Sequence, residues 1–124
     1  MQAQLTEAQE LGKRGEDLAV RYMVEKHGLV LLCRNWSCRA GELDLVLTDG
    51  TQLVIVEVKT RTDADFGMPV EAIDDAKARR VRAAGNLFLS TFRIPGWVQT
   101  RYDVVSILWP AEGRPRIEHL EDVF

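Results

Sequence analysis

Two cysteines, two histidines, four prolines and nine glycines in 124 residues close off several classes of protein at once. Cys33 and Cys38 are too few for a disulfide framework, and with only His27 and His119 there is no second ligand pair for a structural zinc. The cysteines read as reduced thiols, one in a strand and one in the loop after it. Long apolar runs are missing as well. The longest, Leu29 to Cys33, is far too short to span a bilayer, and the opening MQAQLTEAQE lacks a signal peptide's apolar segment. A cytoplasmic protein with no membrane partner is expected. Nor is there an excess of basic charge: 16 Lys and Arg against 19 Asp and Glu give −3, which argues against a protein that coats nucleic acid by bulk charge and leaves only a local basic face. What is present, 46% hydrophobic and 28% charged residues without repeats or linkers, suits one compact domain over residues 1–124 with a core of its own.

Periodicity orders that domain. Leu5, Ala8, Leu11, Leu18, Ala19, Tyr22 and Met23 recur at helical spacing between Leu5 and Lys26, with Gly12 and Gly15 on the same side as close-packing points, and His27 and Gly28 end the helix. LVLLC reads as a short buried strand running into a cationic loop, RNWSCRAG. LDLVLT and QLVIVEVKTR flank Asp49-Gly50, the strongest local hairpin signal. After a loop holding Gly67 and Pro69, the stretch from Val70 to Thr91 sets Ile73, Ala76, Val81, Ala84, Leu87 and Phe88 on one stripe of a second helix, which RIPG breaks. YDVVSILW is a buried strand with Trp109 in the core, and PAEGRP separates it from an extended segment at Arg116 to Leu120. The order of helix, three strands, helix, strand and edge strand predicts an α/β or α+β sheet covered by helices, antiparallel at least in its hairpin.

Charged residues sit inside strands that otherwise want burial. By alternation Leu53, Ile55, Glu57 and Lys59 share one face while Val54, Val56 and Val58 share the other. With Asp49-Gly50 as a two-residue turn, Thr48 faces Thr51, Asp44 faces Ile55 and Glu42 faces Glu57, so three carboxylates and one ammonium gather at one end of the hairpin. Clustered carboxylates repel unless a cation or a shared proton offsets the cost. Oxygen-only ligands suit Mg²⁺ or Mn²⁺, beside which Lys59 would stabilise charge on a bound phosphate. The plainer alternative is a surface ion pair between Glu57 and Lys59 with Asp44 solvated.

Glu16 falls at the border of the first helix's apolar stripe, next to Met23, whereas Asp17 lies outside it. Lys77 and Arg80 fall within the stripe of the second helix, where they either snorkel past it or meet an anion. From Lys77 to Arg101 there are six cations and no acid. With Arg34, Arg39 and Arg61 on loops beside the hairpin end, they form a basic track suited to a phosphate backbone, although Arg79 and Arg82 alone read as a solvated helix face. Trp36 and Trp97, in loops, suit either stacking on bases or packing beneath those loops.

Asp44 followed by Glu57 and Lys59 of EVK resembles the weak signature of the PD-(D/E)xK nuclease superfamily, with Leu43 where the superfamily's name has proline. The wider pattern is more telling: GEDLAVRYM at Gly15 to Met23, RNW at Arg34 to Trp36, GELDLV at Gly41 to Val46, VEVKTR at Val56 to Arg61, FGMP at Phe66 to Pro69, Lys77, and RYDVV at Arg101 to Val105. Together these resemble the YraN-like family of small bacterial predicted endonucleases over nearly the whole chain. The resemblance implies a restriction-endonuclease-like α/β core similar to that of archaeal Holliday junction resolvases. It makes Asp44 and Glu57 metal ligands, Lys59 the catalytic lysine and Glu16 the acid that the first helix brings to the site. The expected protein is a nuclease acting on DNA, its Mg²⁺ or Mn²⁺ held by Asp44, Glu57 and the Val58 carbonyl, with Arg34, Arg39, Arg61, Lys77 and Arg80 on the nucleic acid. The rival is a module of the same fold that binds nucleic acid and cuts nothing. Resolvases of this fold work as symmetric dimers, so a second copy is a candidate partner, though no dimer face is legible.

Overall fold

The structure, a computed structural model, describes residues 4–62 and 74–124. Phe66 to Pro69, the start of the expected second helix at Val70, and Ile73 lie outside the described residues. Helix α1 spans Glu7–Arg21. It begins at Thr6, whose hydroxyl accepts from the Gln9 N–H while the Gln9 side chain takes the Thr6 N–H, a reciprocal capping box. The expected helix to Lys26 is continuous, but its last turn, Tyr22–Lys26, widens to π geometry before Gly28 takes a φ of 67°. Strands β1 (Val30–Cys38), β2 (Gly41–Thr48) and β3 (Gln52–Arg61) follow, then α2 (Asp75–Thr91), β4 (Gln99–Leu108) and β5 (Arg116–Leu120). Asp74 caps α2 by accepting the Lys77 N–H.

The five strands lie in the order β1-β2-β3-β4-β5. β1, β2 and β3 form an antiparallel meander, α2 crosses over so that β4 runs parallel to β3, and β5 returns antiparallel as an edge. The mixed α/β sheet with an antiparallel hairpin is therefore as the sequence predicts. Ala19 and Met23 pack on Leu45, Leu47, Val54, Val56, Val105 and Ile107 on one face. On the other, Val81, Ala84 and Phe88 pack on Val46, Leu53, Ile55 and Tyr102. The alternation of β3 thus divides the two cores between the two helices.

Both helices approach the sheet through a glycine. A Cβ at Gly15 would run into the Thr60 hydroxyl on β3, and one at Gly85 into the Tyr102 hydroxyl on β4. Gly12, the other expected packing point, has open space where its Cβ would stand.

Several local expectations are corrected. RNWSC is not a loop: β1 runs through it to Cys38, so both cysteines and Trp36 are in a strand, and β1 is a half-exposed edge rather than a buried strand. The loop-like composition reflects Asn35, whose φ of 51° breaks the alternation. Arg34 then meets α1 on one face, while Trp36 packs edge-on against Phe88 of α2 on the other. Trp109 stands just past β4, half-buried, with the Arg14 guanidinium 4.2 Å above its ring. Trp97 is 78% exposed.

Candidate active site

The β2–β3 turn has four residues, not two, because the ladder starts at Thr48↔Leu53. Asp49 dictates the longer loop: its carboxylate accepts from the backbone N–H groups of Thr51 and Gln52 and from both of their side chains. These bonds hold the Asp49 carboxyl well below its ordinary value. The whole register moves by two residues relative to the expected one. A two-residue shift keeps every side chain on its face, so Asp44 and Glu57 remain together and are brought level, one step beyond Leu45↔Val56.

At that step the ladder gives way to a side chain. The Val58 N–H donates to Asp44 Oδ2 at 2.8 Å, which fixes the carboxylate between the strands. Glu57, only 7% exposed, lies against it. Burial first, then the Asp44 charge and a hydrogen bond with it, push the Glu57 carboxyl up to about 9 from an ordinary 4.5; the Lys77 ammonium pulls the other way and Glu42 adds to the rise. Glu57 Oε1 is buried and has no hydrogen-bond partner among the described residues. A cleft of about 210 Å³, lined by Ala40, Gly41, Glu42, Glu57, Lys77, Arg80 and Val81, opens over it. Sheet and α2 thus bring two acids, Glu42 and Glu57, and two bases, Lys77 and Arg80, to one cavity.

The other expected residues spread out around this centre. Lys59 shares the face of Glu57 and is exposed. Arg39 is exposed in the β1–β2 turn, next to Ala40 of the cleft wall, and Arg61 ends β3 with its carbonyl accepting the Trp109 N–H. Arg34 is in a strand rather than a loop and binds Asp17 at 2.8 Å and Glu16 at 3.4 Å. Glu16 also accepts from the Asn35 side chain at 3.1 Å. Because Arg34 is level with Leu45, Glu16 is anchored one strand away from Asp44, on the α1 side. The plainer reading, a solvated Asp44 with a Glu57–Lys59 surface pair, fails on geometry: Glu57 is buried and Asp44 is hydrogen-bonded.

One charged residue was passed over. Asp103 is fully buried in β4, bound by Arg101, His119 and the Asp122 N–H. Its signal is the same as that of Glu57, an acid inside an apolar strand, here in YDVVSILW.

A mixed five-stranded sheet between helices, with a carboxylate pair on adjacent strands and a lysine two residues further on, is consistent with the restriction-endonuclease-like class of α/β proteins. Within it the chain belongs to the family described as Uncharacterised protein family UPF0102, the YraN family, whose model matches residues 15–107. A UPF0102 protein of Nocardia farcinica is 43% identical over 122 residues, covering 98% of this chain and 94% of its own length. Those of Clavibacter michiganensis subsp. michiganensis and Pelotomaculum thermopropionicum are 43% and 44% identical, covering 92% of this chain and 95% and 94% of theirs. The resemblance read from the motifs thus holds at the level of the family. No helix among the described residues is long and apolar enough to cross a membrane.

Proposed function

We propose that the chain is a metal-dependent nuclease that hydrolyses phosphodiester bonds in DNA, with Asp44, Glu57 and the Val58 carbonyl holding Mg²⁺ or Mn²⁺. The observation that carries this reading is the buried Glu57 carboxyl, pressed against Asp44 with one oxygen unpartnered among the described residues. A sheet interior does not keep such a pair for stability, because one of the two must hold a proton or both must share a cation. The donors are all oxygens, which fits a hard divalent ion.

Such an ion would lower the pKa of a water, making hydroxide available to attack a phosphodiester near neutral pH. The chain's own residues do the rest. The Val58 N–H holds Asp44 in one orientation before any ligand arrives, so little reorganisation is needed on binding. Glu57, which lines the cleft, would hold the ion as a carboxylate, its proton passing to solvent. Lys59, on the same face and exposed, meets the charge that builds on the phosphate as one P–O bond forms and another breaks. Lys77 and Arg80, on the cleft's far wall, attract the flanking phosphates. Glu16, bonded to Arg34 and to the Asn35 side chain of the neighbouring strand, would act as a positioning residue.

Cleavage and binding are measured on one labelled panel of branched and linear DNAs, binding in Ca²⁺ and cutting in Mg²⁺ or Mn²⁺. Asp44→Asn, Glu57→Gln and Lys59→Ala each lose cleavage by about a hundredfold or more while still binding DNA, and Arg79→Ala, exposed on α2, cuts normally. If the three variants cut like the wild type, the activity lies elsewhere. If the wild type binds and never cuts, the chain is the binding module.

A further inference from the structure

On the opposite face of the sheet, Asp103 anchors a second cluster that the acid pair does not touch. Its carboxylate accepts from Arg101 Nε at 2.9 Å and Nη2 at 2.8 Å, from the Asp122 N–H at 3.0 Å, and from His119 Nε2 at 2.8 Å. The carboxylate bond takes His119 through Nε2, so the ring nitrogen that faces away from Asp103 and is open to a ligand is Nδ1. That nitrogen lies 3.2 Å from the Tyr22 hydroxyl, and the same hydroxyl is 3.0 Å from His27 Nε2. Glu121, just beyond β5, completes the group: one ligand atom each from His27, His119 and Glu121 all lie within 4.8 Å of one another.

We propose that His27, His119 and Glu121 form a second metal site, for a divalent transition cation with zinc foremost. Three features support it together. The donor set is two imidazoles and a carboxylate, which suits zinc and not the magnesium of the oxygen-only pair. His119 is already oriented through its far nitrogen by a buried carboxylate, the arrangement that fixes the tautomer and raises the basicity of a ligating imidazole. The ligand atoms are also near their final spacing: tetrahedral zinc needs them about 3.3 Å apart, a distance that the exposed side chains of His27 and Glu121 close by rotation. With three ligands from the chain, a fourth position is left to water.

Counting histidines does not find this site, since a closed structural zinc needs four ligands. An open site needs three, and the fold supplies them from the end of the π turn, from β5 and from the segment after it. The cation would therefore clasp the first helical segment to the chain's last strand.

The test uses the full chain, stripped with EDTA and titrated with zinc chloride by calorimetry, with Co²⁺ visible absorption as a second readout of tetrahedral nitrogen ligation. One zinc should bind per chain, and millimolar Mg²⁺ should not displace it. His27→Ala and Glu121→Gln, both exposed and checked for folding by circular dichroism, should each weaken zinc by about tenfold or more. Tyr22→Phe should bind at least as tightly as the wild type, because its hydroxyl competes for both nitrogens. An Asp44→Asn, Glu57→Gln double variant should bind zinc unchanged, so failure of the nuclease reading leaves this one standing. No zinc binding by the wild type, equal affinity in His27→Ala or Glu121→Gln, or loss of binding in the double variant overturns the proposal.

Discussion

Replacing Glu57 by glutamine removes one titration and keeps the shape, and the amide N–H can still donate to Asp44. The folded carboxyl titrates near 9 against 4.5 ordinarily, so between those values the folded chain keeps a proton that the unfolded chain has released. Stability from this group is fully present below about pH 4.5 and is lost as the pH rises through the folded value, at about 1.4 kcal/mol per pH unit. The Glu57→Gln variant has no such slope. At pH 7, two and a half units above the ordinary value, the wild type has lost about 3 kcal/mol relative to it, a ceiling because water entry and relaxation soften burial. Urea unfolding of both proteins in EDTA, at pH values from about 5 to about 8, measures the difference directly. The variant should gain on the wild type by up to about 1.4 kcal/mol per pH unit. A constant gap would show Glu57 ionised in both states and would refute the buried, protonated pair on which the metal site rests.

The two glycines of α1 should part company: Gly15→Ala drives a methyl into Thr60 and should cost about 1–3 kcal/mol, whereas Gly12→Ala, with open space, should stabilise by about 0.5–1 kcal/mol. Equal urea midpoints would mean that α1 does not seat on β3 through Gly15. Lys77→Ala with Arg80→Ala should weaken DNA binding and lower the slope of log K against log salt by up to about 2, read by fluorescence anisotropy across a salt series. An unchanged slope returns both residues to α2's own packing.

The chain by itself determined the elements and most of the faces, because both depend on local rules. A helix stripe and a strand's alternation are set by backbone geometry, so Glu57 and Lys59 had to share a face with Leu53 and Ile55 whatever they packed against. Asp49-Gly50 announced a hairpin, and even its wrong length did no harm to the site, since an error of two residues preserves parity. The tertiary structure decided the rest. The left-handed Asn35 turned an apparent loop into the continuation of β1 and set Arg34 against Glu16 and Asp17. Burial beneath α2 took Glu57 off the surface and pushed its carboxyl up, and the opening of the ladder after Leu45 placed the Val58 N–H on Asp44. His27 and His119, 92 positions apart, met only because β5 returned beside β4 and the end of the α1 segment packed over it. Spacing along a chain governs neighbours within an element, but contacts between elements follow from which apolar surfaces close on one another, and no local pattern encodes that.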